Sequence, residues 1–222
     1  MLRKILLTCC AVSFIAAGHA SAQEAPDKMV QRVTEEVMTI VQSDKNIQGG
    51  DRNRIRQVIN DKILPNLDFE RTTSLAMGRF WRDATPEQKQ QVEKEFRALL
   101  IYTYSGAMTL IRDQKITYEP LRADPAATDV EVFAHANNAQ GQPVRFGYRL
   151  IKNPDGWKVY DVNVLGAWLI QTYKDSFAYE IQRSGIDGLI KTLSDKNKRL
   201  ASAPVKTNPE SLKEQLPAGG NS

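Results

Sequence analysis

Apolar residues recur at spacings of three and four between Pro26 and Ser43, where Met29, Val30, Val33, Val37, Ile40 and Val41 share one side of a helical wheel. That pattern predicts an amphipathic helix with Pro26 in its first turn, ended by Asn46 to Gly50. A second helix is predicted from about Asp51 to Ile63, with Ile55, Val58, Ile59 and Ile63 on one side and Pro65 as its stop. Asp68 is placed to cap a third helix that runs to Met77, where Gly78 ends it. The longest helix opens on Thr85-Pro86, with Gln88 completing a capping box, and continues to about Arg112. Along it Val92, Phe96, Leu99, Leu100, Thr103, Ala107, Leu110 and Ile111 form one stripe, and Ile101, Tyr104 and Met108 form a second beside it. A helix apolar over that much of its circumference must touch something on two sides. It is either a central core helix or one whose second side lines a ligand cavity.

After Asp113 the period changes from 3.6 to 2. Four strands are marked by Ile116 and Tyr118, by Val130, Val132 and Ala134, by Val144, Phe146, Tyr148 and Leu150, and by Tyr160, Val162 and Val164. Asn153-Pro154-Asp155-Gly156 predicts a tight antiparallel hairpin between the last two. Helical spacing returns from Ala167 to Ser184 and from Asp187 to Leu200, with Gly185 between. The expected fold class is therefore α+β: helices over 26–112, an antiparallel sheet of about four strands over 115–165, and helices over 167–200, in one domain spanning 23–200. From Ala201 to Ser222 the chain is polar and is expected to be a disordered tail.

The first 22 residues change the reading of the composition. Arg3 and Lys4, an apolar run from Ile5 to Ala17 and the Ala20-Ser21-Ala22 site make a secretory signal, with cleavage expected before Gln23. Removing 22 of 222 residues leaves 200, and Cys9, Cys10 and His19 leave with them. The expected mature chain thus has no cysteine and His135 as its sole imidazole, which excludes disulfides, thiolate zinc sites and a two-histidine metal site. Losing Arg3 and Lys4 lowers the formal charge from +4 to +2, too little for an electrostatic grip on nucleic acid. After the signal no apolar stretch approaches 18 residues, so no transmembrane span is expected.

Catalytic motifs are absent: there is no phosphate loop, nucleophile elbow or EF-hand. One enzymatic arrangement is open, an Asp base beside a Tyr hydroxyl in an apolar pocket, with Asp161, Tyr148 and His135 as candidates. Strand alternation opposes it. If Tyr148, Tyr160, Val162 and Val164 point inward, Asp161, His135, Arg145 and Arg149 point outward, and Asp161 is better placed to pair with an arginine.

Several blocks, in order, resemble the MlaC family, also called the toluene-tolerance auxiliary component family. They are Leu64-Pro65-Asn66-Leu67-Asp68-Phe69, Met77-Gly78-Arg79-Phe80-Trp81-Arg82 and Ala84-Thr85-Pro86-Glu87-Gln88, leading to Phe96, Leu99, Leu100 and Tyr104. Tyr148-Arg149-Leu150, Trp157 to Val162, Gly166, Tyr173, Phe177 and Gly185 to Ile190 continue the likeness, which covers about residues 28 to 200. The resemblance implies an NTF2-like curved sheet against a helical subdomain, with an apolar lipid cavity between them. It implies a periplasmic carrier of diacyl phospholipid, with no catalytic residue, metal or cofactor. Its implied partners are an outer-membrane lipoprotein–porin complex and an inner-membrane ABC transporter with an MCE-domain ring, and its implied task is outer-membrane lipid asymmetry.

Joined to the periodicity, the resemblance proposes a cavity lined by Phe96, Leu100, Tyr104 and Met108 of the long helix and by Val132, Phe146, Tyr148, Val162 and Val164 of the sheet, with Phe177 and Ile181 closing a third side. Trp168, Lys174 and Arg82 are candidates for the cavity mouth or headgroup. The chain departs from the family in having Ala167-Trp168 where a small aliphatic residue and serine are usual, and Lys174 where arginine is common. Lysine keeps the charge but loses the fork that suits phosphate. Arg79 and Arg82 are expected mainly to form ion pairs that fix the helix junction.

Overall fold

The computed structural model describes residues 23–106, 114–137, 143–164 and 166–203. The expected signal and most of the expected tail lie outside them. Helix α1 spans Pro26–Ser43, as its periodicity predicts. Where a terminator was expected there is instead a short helix α2, Lys45–Gln48, capped by the Asp44 carboxylate on the Asn46 and Ile47 amides. Helix α3, Arg52–Val58, is capped in the same way by Asp51. It then widens into a π turn, Ile59–Ile63, and tightens into a 3-10 turn, Leu64–Asn66. Proline supplies the reason: Pro65 has no amide hydrogen and its ring crowds the preceding turn, so the regular ladder cannot run through it.

Helix α4, Phe69–Met77, has its Asp68 cap on the Arg71 amide and ends at Gly78, whose φ is 57°. A 3-10 turn, Gly78–Trp81, follows. Helix α5 runs from Pro86 to Tyr104 behind a complete Thr85/Gln88 capping box. Its expected continuation to Arg112 enters residues 107–113, outside the described set.

Among the described residues five strands form one antiparallel meander: β1 Thr117–Tyr118, β2 Asp129–Asn137, β3 Pro143–Asn153, β4 Gly156–Val164 and β5 Ala167–Trp168. The fifth corrects the expectation that helix begins at Ala167, because Ala167 and Trp168 first pair with Val164 and Asn163. Helix α6 then covers Leu169–Ser202 and is broken at Gly185, which has φ 74° and ψ 179°. That region is open essentially to glycine alone, so the break falls where the sequence placed it.

One irregularity shifts a whole strand. Arg149 pairs with Asp161 but Leu150 pairs with Val159, which leaves Tyr160 as the extra residue of a β-bulge. Unbroken alternation put Tyr160 on the face of Tyr148 and Val159 on the other; the bulge exchanges them. Val159 joins Val130 and Leu150 in the core, while Tyr160 turns to the Asp129 carboxylate, donating at 3.0 Å, with Arg71 stacked 4.7 Å from its ring.

The apolar interior has three parts. Phe69, Met77, Phe96, Leu99, Tyr173, Phe177 and Leu189 tie α4, α5 and α6 together. Val37, Val41, Ile47, Ile55 and Val58 join α1, α2 and α3. Met29 and Val30 of α1 pack on Val130, Val132, Leu150 and Val159 of the sheet. Leu67 and Val162 touch both the first and the third, and the Asp68 amide donates to the Val159 carbonyl at 2.9 Å, so the helical half is fastened to β4.

Candidate functional site

Strand register arranges one sheet face in three rows: Val130–Leu150–Val159, Val132–Tyr148–Val162 and Ala134–Phe146–Val164. Met29 and Val30 seal the first row, and all three of its members are buried. Toward the third row the cover thins over β3 and β4, while Val132 and Ala134 of β2 stay buried. Phe146, Tyr148, Val162 and Val164 keep part of their surface, as do Leu100 and Tyr104 at the end of α5. Leu100 of the first stripe of α5 and Tyr104 of the second border the same core as Val162, whereas Ile101 of the second stripe packs against the cluster of α1, α2 and α3. The result is an apolar region walled by the sheet and the end of α5 whose side chains are not fully packed.

Polar atoms in this region are phenols. Tyr148 is half-buried, and its hydroxyl has no hydrogen-bond partner among the described residues; desolvation, with a smaller contribution from Tyr118, pushes it up to about 12. The Tyr118 hydroxyl is buried and unpaired, and its ionisation is likewise raised by burial. Burial also raises Tyr104, and it pushes Tyr173 up to about 12; both hydroxyls are buried without a hydrogen-bond partner.

The other expected lining residues stand differently. Phe96 is 0% exposed and Phe177 2%, and the Phe96 ring lies edge-on to Tyr173 and Phe177 at 4.9 Å each. Ile181 and Val132 are buried too. These four have almost no surface to offer a ligand and back the wall rather than form it. Met108 lies outside the described residues. Tyr118 was not among the expected residues; its place in the alternation with Ile116 was the available signal, but a two-residue strand carries little of it.

Trp168, expected at the mouth, pairs with Asn163 on the opposite face and stacks over the Arg149 guanidinium at 3.8 Å. Lys174 and Arg82 are exposed, and the Lys174 stem runs past Gly78, with Cε 3.6 Å from where a Cβ would stand. Contrary to expectation, neither Arg79 nor Arg82 makes an ion pair among the described residues; Arg79 instead stacks over Phe80 at 4.9 Å.

The second sheet face is charged and internally paired. Arg149 bonds Glu131 at 3.0 Å and Asp161 at 3.4 Å, and Arg145 and His135 each meet Glu119 at 2.7 Å. The Arg145 hydrogen bond, with smaller help from His135, holds the Glu119 carboxyl down at about 2. Phe133 lies across Gly147 so closely that a Cβ there would come within 2.8 Å of its ring, and Arg145 covers that ring at 3.6 Å. Asp161 is 2% exposed; burial raises its pKa although it accepts from the Val162 and Ile170 amides and from Arg149. As the alternation indicated, Asp161 and His135 occupy the face opposite Tyr148, so the three do not converge on one pocket.

Two clefts lie away from the apolar face. One, of about 460 Å³, is bordered by Asp68, Glu93, Arg97, Asn153, Asp155 and Lys158; the other, of about 600 Å³, lies along 119–133 with Arg145. Both carry charges of both signs. Among the described residues no group of three or more His, Cys, Asp or Glu is arranged to hold a metal ion, and no helix is long and apolar enough to cross a membrane.

Comparison with known proteins agrees with this architecture. A solved structure from Ralstonia solanacearum, a phospholipid-binding protein in complex with a phospholipid, superposes with a TM-score of 0.78 at 43% identity, covering 81% of this chain and 100% of that one. The intermembrane phospholipid transport system binding protein MlaC of Haemophilus influenzae is 24% identical over 203 residues, 90% of this chain and 93% of its own. The toluene tolerance protein ttg2D of Pseudomonas putida is 29% identical over 169 residues, 75% of this chain and 77% of its own. The family model described as MlaC protein matches residues 31–195. With its NTF2-like α+β fold, the chain belongs to the MlaC family.

Proposed function

We propose that this protein is a non-catalytic carrier of diacyl phospholipid in the periplasm, released there by cleavage before Gln23. The observation that carries this reading is the likeness to the Ralstonia solanacearum protein: 43% identity over the whole of a chain whose structure holds a phospholipid. The names of the Haemophilus influenzae and Pseudomonas putida relatives agree with it. Physical chemistry makes the same demand. Two acyl chains present about 30 methylenes, and their exposure to water would cost on the order of 25 kcal/mol, so a carrier must offer them a dry volume.

The under-packed region bordered by Leu100, Tyr104, Phe146, Tyr148, Val162 and Val164 is the volume we assign to the acyl chains, with Met108 as a further wall and Phe96, Val132, Phe177 and Ile181 behind. The headgroup stays near solvent, where Lys174 and Arg82, both free of ion pairs among the described residues, are available to its phosphate. The carrier would work between an outer-membrane lipoprotein–porin complex and an inner-membrane ABC transporter with an MCE-domain ring, helping to maintain outer-membrane lipid asymmetry.

Native mass spectrometry of protein purified without detergent tests the central claim. One phospholipid per chain is expected. Protein that stays empty after incubation with phospholipid vesicles overturns the reading.

A further inference from the structure

Hydroxyl groups in an apolar cavity need an account, because an unmade hydrogen bond away from bulk water is costly. Tyr148 stands in the middle row of the open sheet face, between Val132 and Val162, with no hydrogen-bond partner among the described residues. Tyr118 stands on the edge strand of the same face, next to Ala134, and its buried hydroxyl is also unpaired. Its polar neighbour on α1 is Thr34, whose hydroxyl already donates to the Val30 carbonyl at 2.7 Å. Both rings pack against the same apolar cluster, and Tyr118 is close enough to contribute to the raised ionisation of Tyr148. Phenylalanine would fill the same space without the cost, so the hydroxyls point to an acceptor that arrives with the ligand.

Acyl chains themselves carry no acceptor. In a diacyl lipid, the acceptors closest to the hydrocarbon are the two ester carbonyl oxygens at the glycerol. We infer that Tyr148 and Tyr118 donate hydrogen bonds to those ester carbonyls, fixing how deep the chains enter and making the site selective for ester-linked over ether-linked lipid. This deepens the carrier reading and rests on it. The chemistry is that of two neutral donors meeting neutral acceptors, so the preference is independent of headgroup.

The test compares a diester phosphatidylglycerol with its dialkyl ether analogue, of equal chain length and identical headgroup, in competition for delipidated full-length protein. Wild type is expected to prefer the ester by roughly three- to tenfold for each hydrogen bond made. In Tyr148→Phe the ester-to-ether ratio falls toward one, and Tyr118→Phe lowers it as well. Equal uptake of both lipids by wild type, or an unchanged ratio in Tyr148→Phe and Tyr118→Phe together, overturns this inference and leaves the carrier reading standing. Uptake of neither lipid overturns both.

Discussion

The aromatic core between α4, α5 and α6 and the open face of the sheet are made of similar residues but finished differently. In the first, Phe69, Phe96, Tyr173 and Phe177 interlock at centroid distances from 4.9 to 5.8 Å, and little of any ring is left accessible. In the second, Phe146, Tyr148, Val162 and Val164 are held in register by the strands but are only partly buried. Apolar character alone does not tell these regions apart. Completeness of packing does: one region has spent its apolar surface on stability, and the other keeps part of it accessible.

The sharpest way to break this contrast is to truncate one ring in each. Phe96→Ala should cost about 3–5 kcal/mol in urea unfolding of lipid-free protein, whereas Phe146→Ala should cost about 1–2 kcal/mol, because part of its ring is already exposed. Equal losses would show that the sheet face is core like any other.

A second test concerns the paired charges behind that face. Asp161→Ala should cost roughly 2–3 kcal/mol, since it strands the Val162 and Ile170 amides and removes an Arg149 contact, while Asp161→Asn should lose less by keeping an acceptor for them. The pH dependence has a definite sign. Burial raises the Asp161 pKa above its ordinary 3.8, so the folded state holds the proton more tightly than the unfolded chain. Its contribution is therefore greatest in acid and is lost as pH rises from about 3.8 through the folded value. Thermal unfolding across that window should show this component in wild type and not in Asp161→Asn.

The smallest and most local test uses neighbours on α5. Leu99 is 1% exposed within the aromatic core, and Leu100 is half-buried on the open side. Leu99→Trp should cost about 1–3 kcal/mol by overpacking, whereas Leu100→Trp should change stability by less than about 1 kcal/mol and lower the lipid carried per chain. Unfolding midpoints and native mass spectrometry read the two effects separately.

Much of the fold was legible wherever local chemistry decides it. Pro26, the Thr85/Gln88 box, the Asp68 cap and Gly185 act within a few residues of themselves, and the elements they bound were expected close to where they occur. The π turn before Pro65, strand β5 and the bulge at Tyr160 depend on partners distant in sequence, and periodicity cannot register them. The candidate site was legible to the same depth. Alternation separated Tyr148 and Val162 from Asp161 and Arg149, and the two stripes of α5 included Leu100 and Tyr104, one in each. It could not tell which apolar residues keep free surface, since Phe96 and Phe146 differ only in what is packed on them. Trp168 was misplaced because its face is set by pairing with Asn163, which a helical reading from Ala167 does not include.

The bulge at Tyr160 behaves like a frameshift written in three dimensions. A strand reads its residues alternately to two audiences, and one inserted position changes which audience hears everything before it. Up to Val159 the strand addresses the apolar face in one phase; from Asp161 onward it does so in the other, with Val162 and Val164 on the apolar face and Asp161 turned to Arg149. Deleting Tyr160 would remove a single ring, yet it would force one end of β4 to trade faces, sending either Val159 to the charges or Asp161 to the apolar side. The division between the dry and the charged sides of the sheet is thus kept by the length of the chain as well as by its composition.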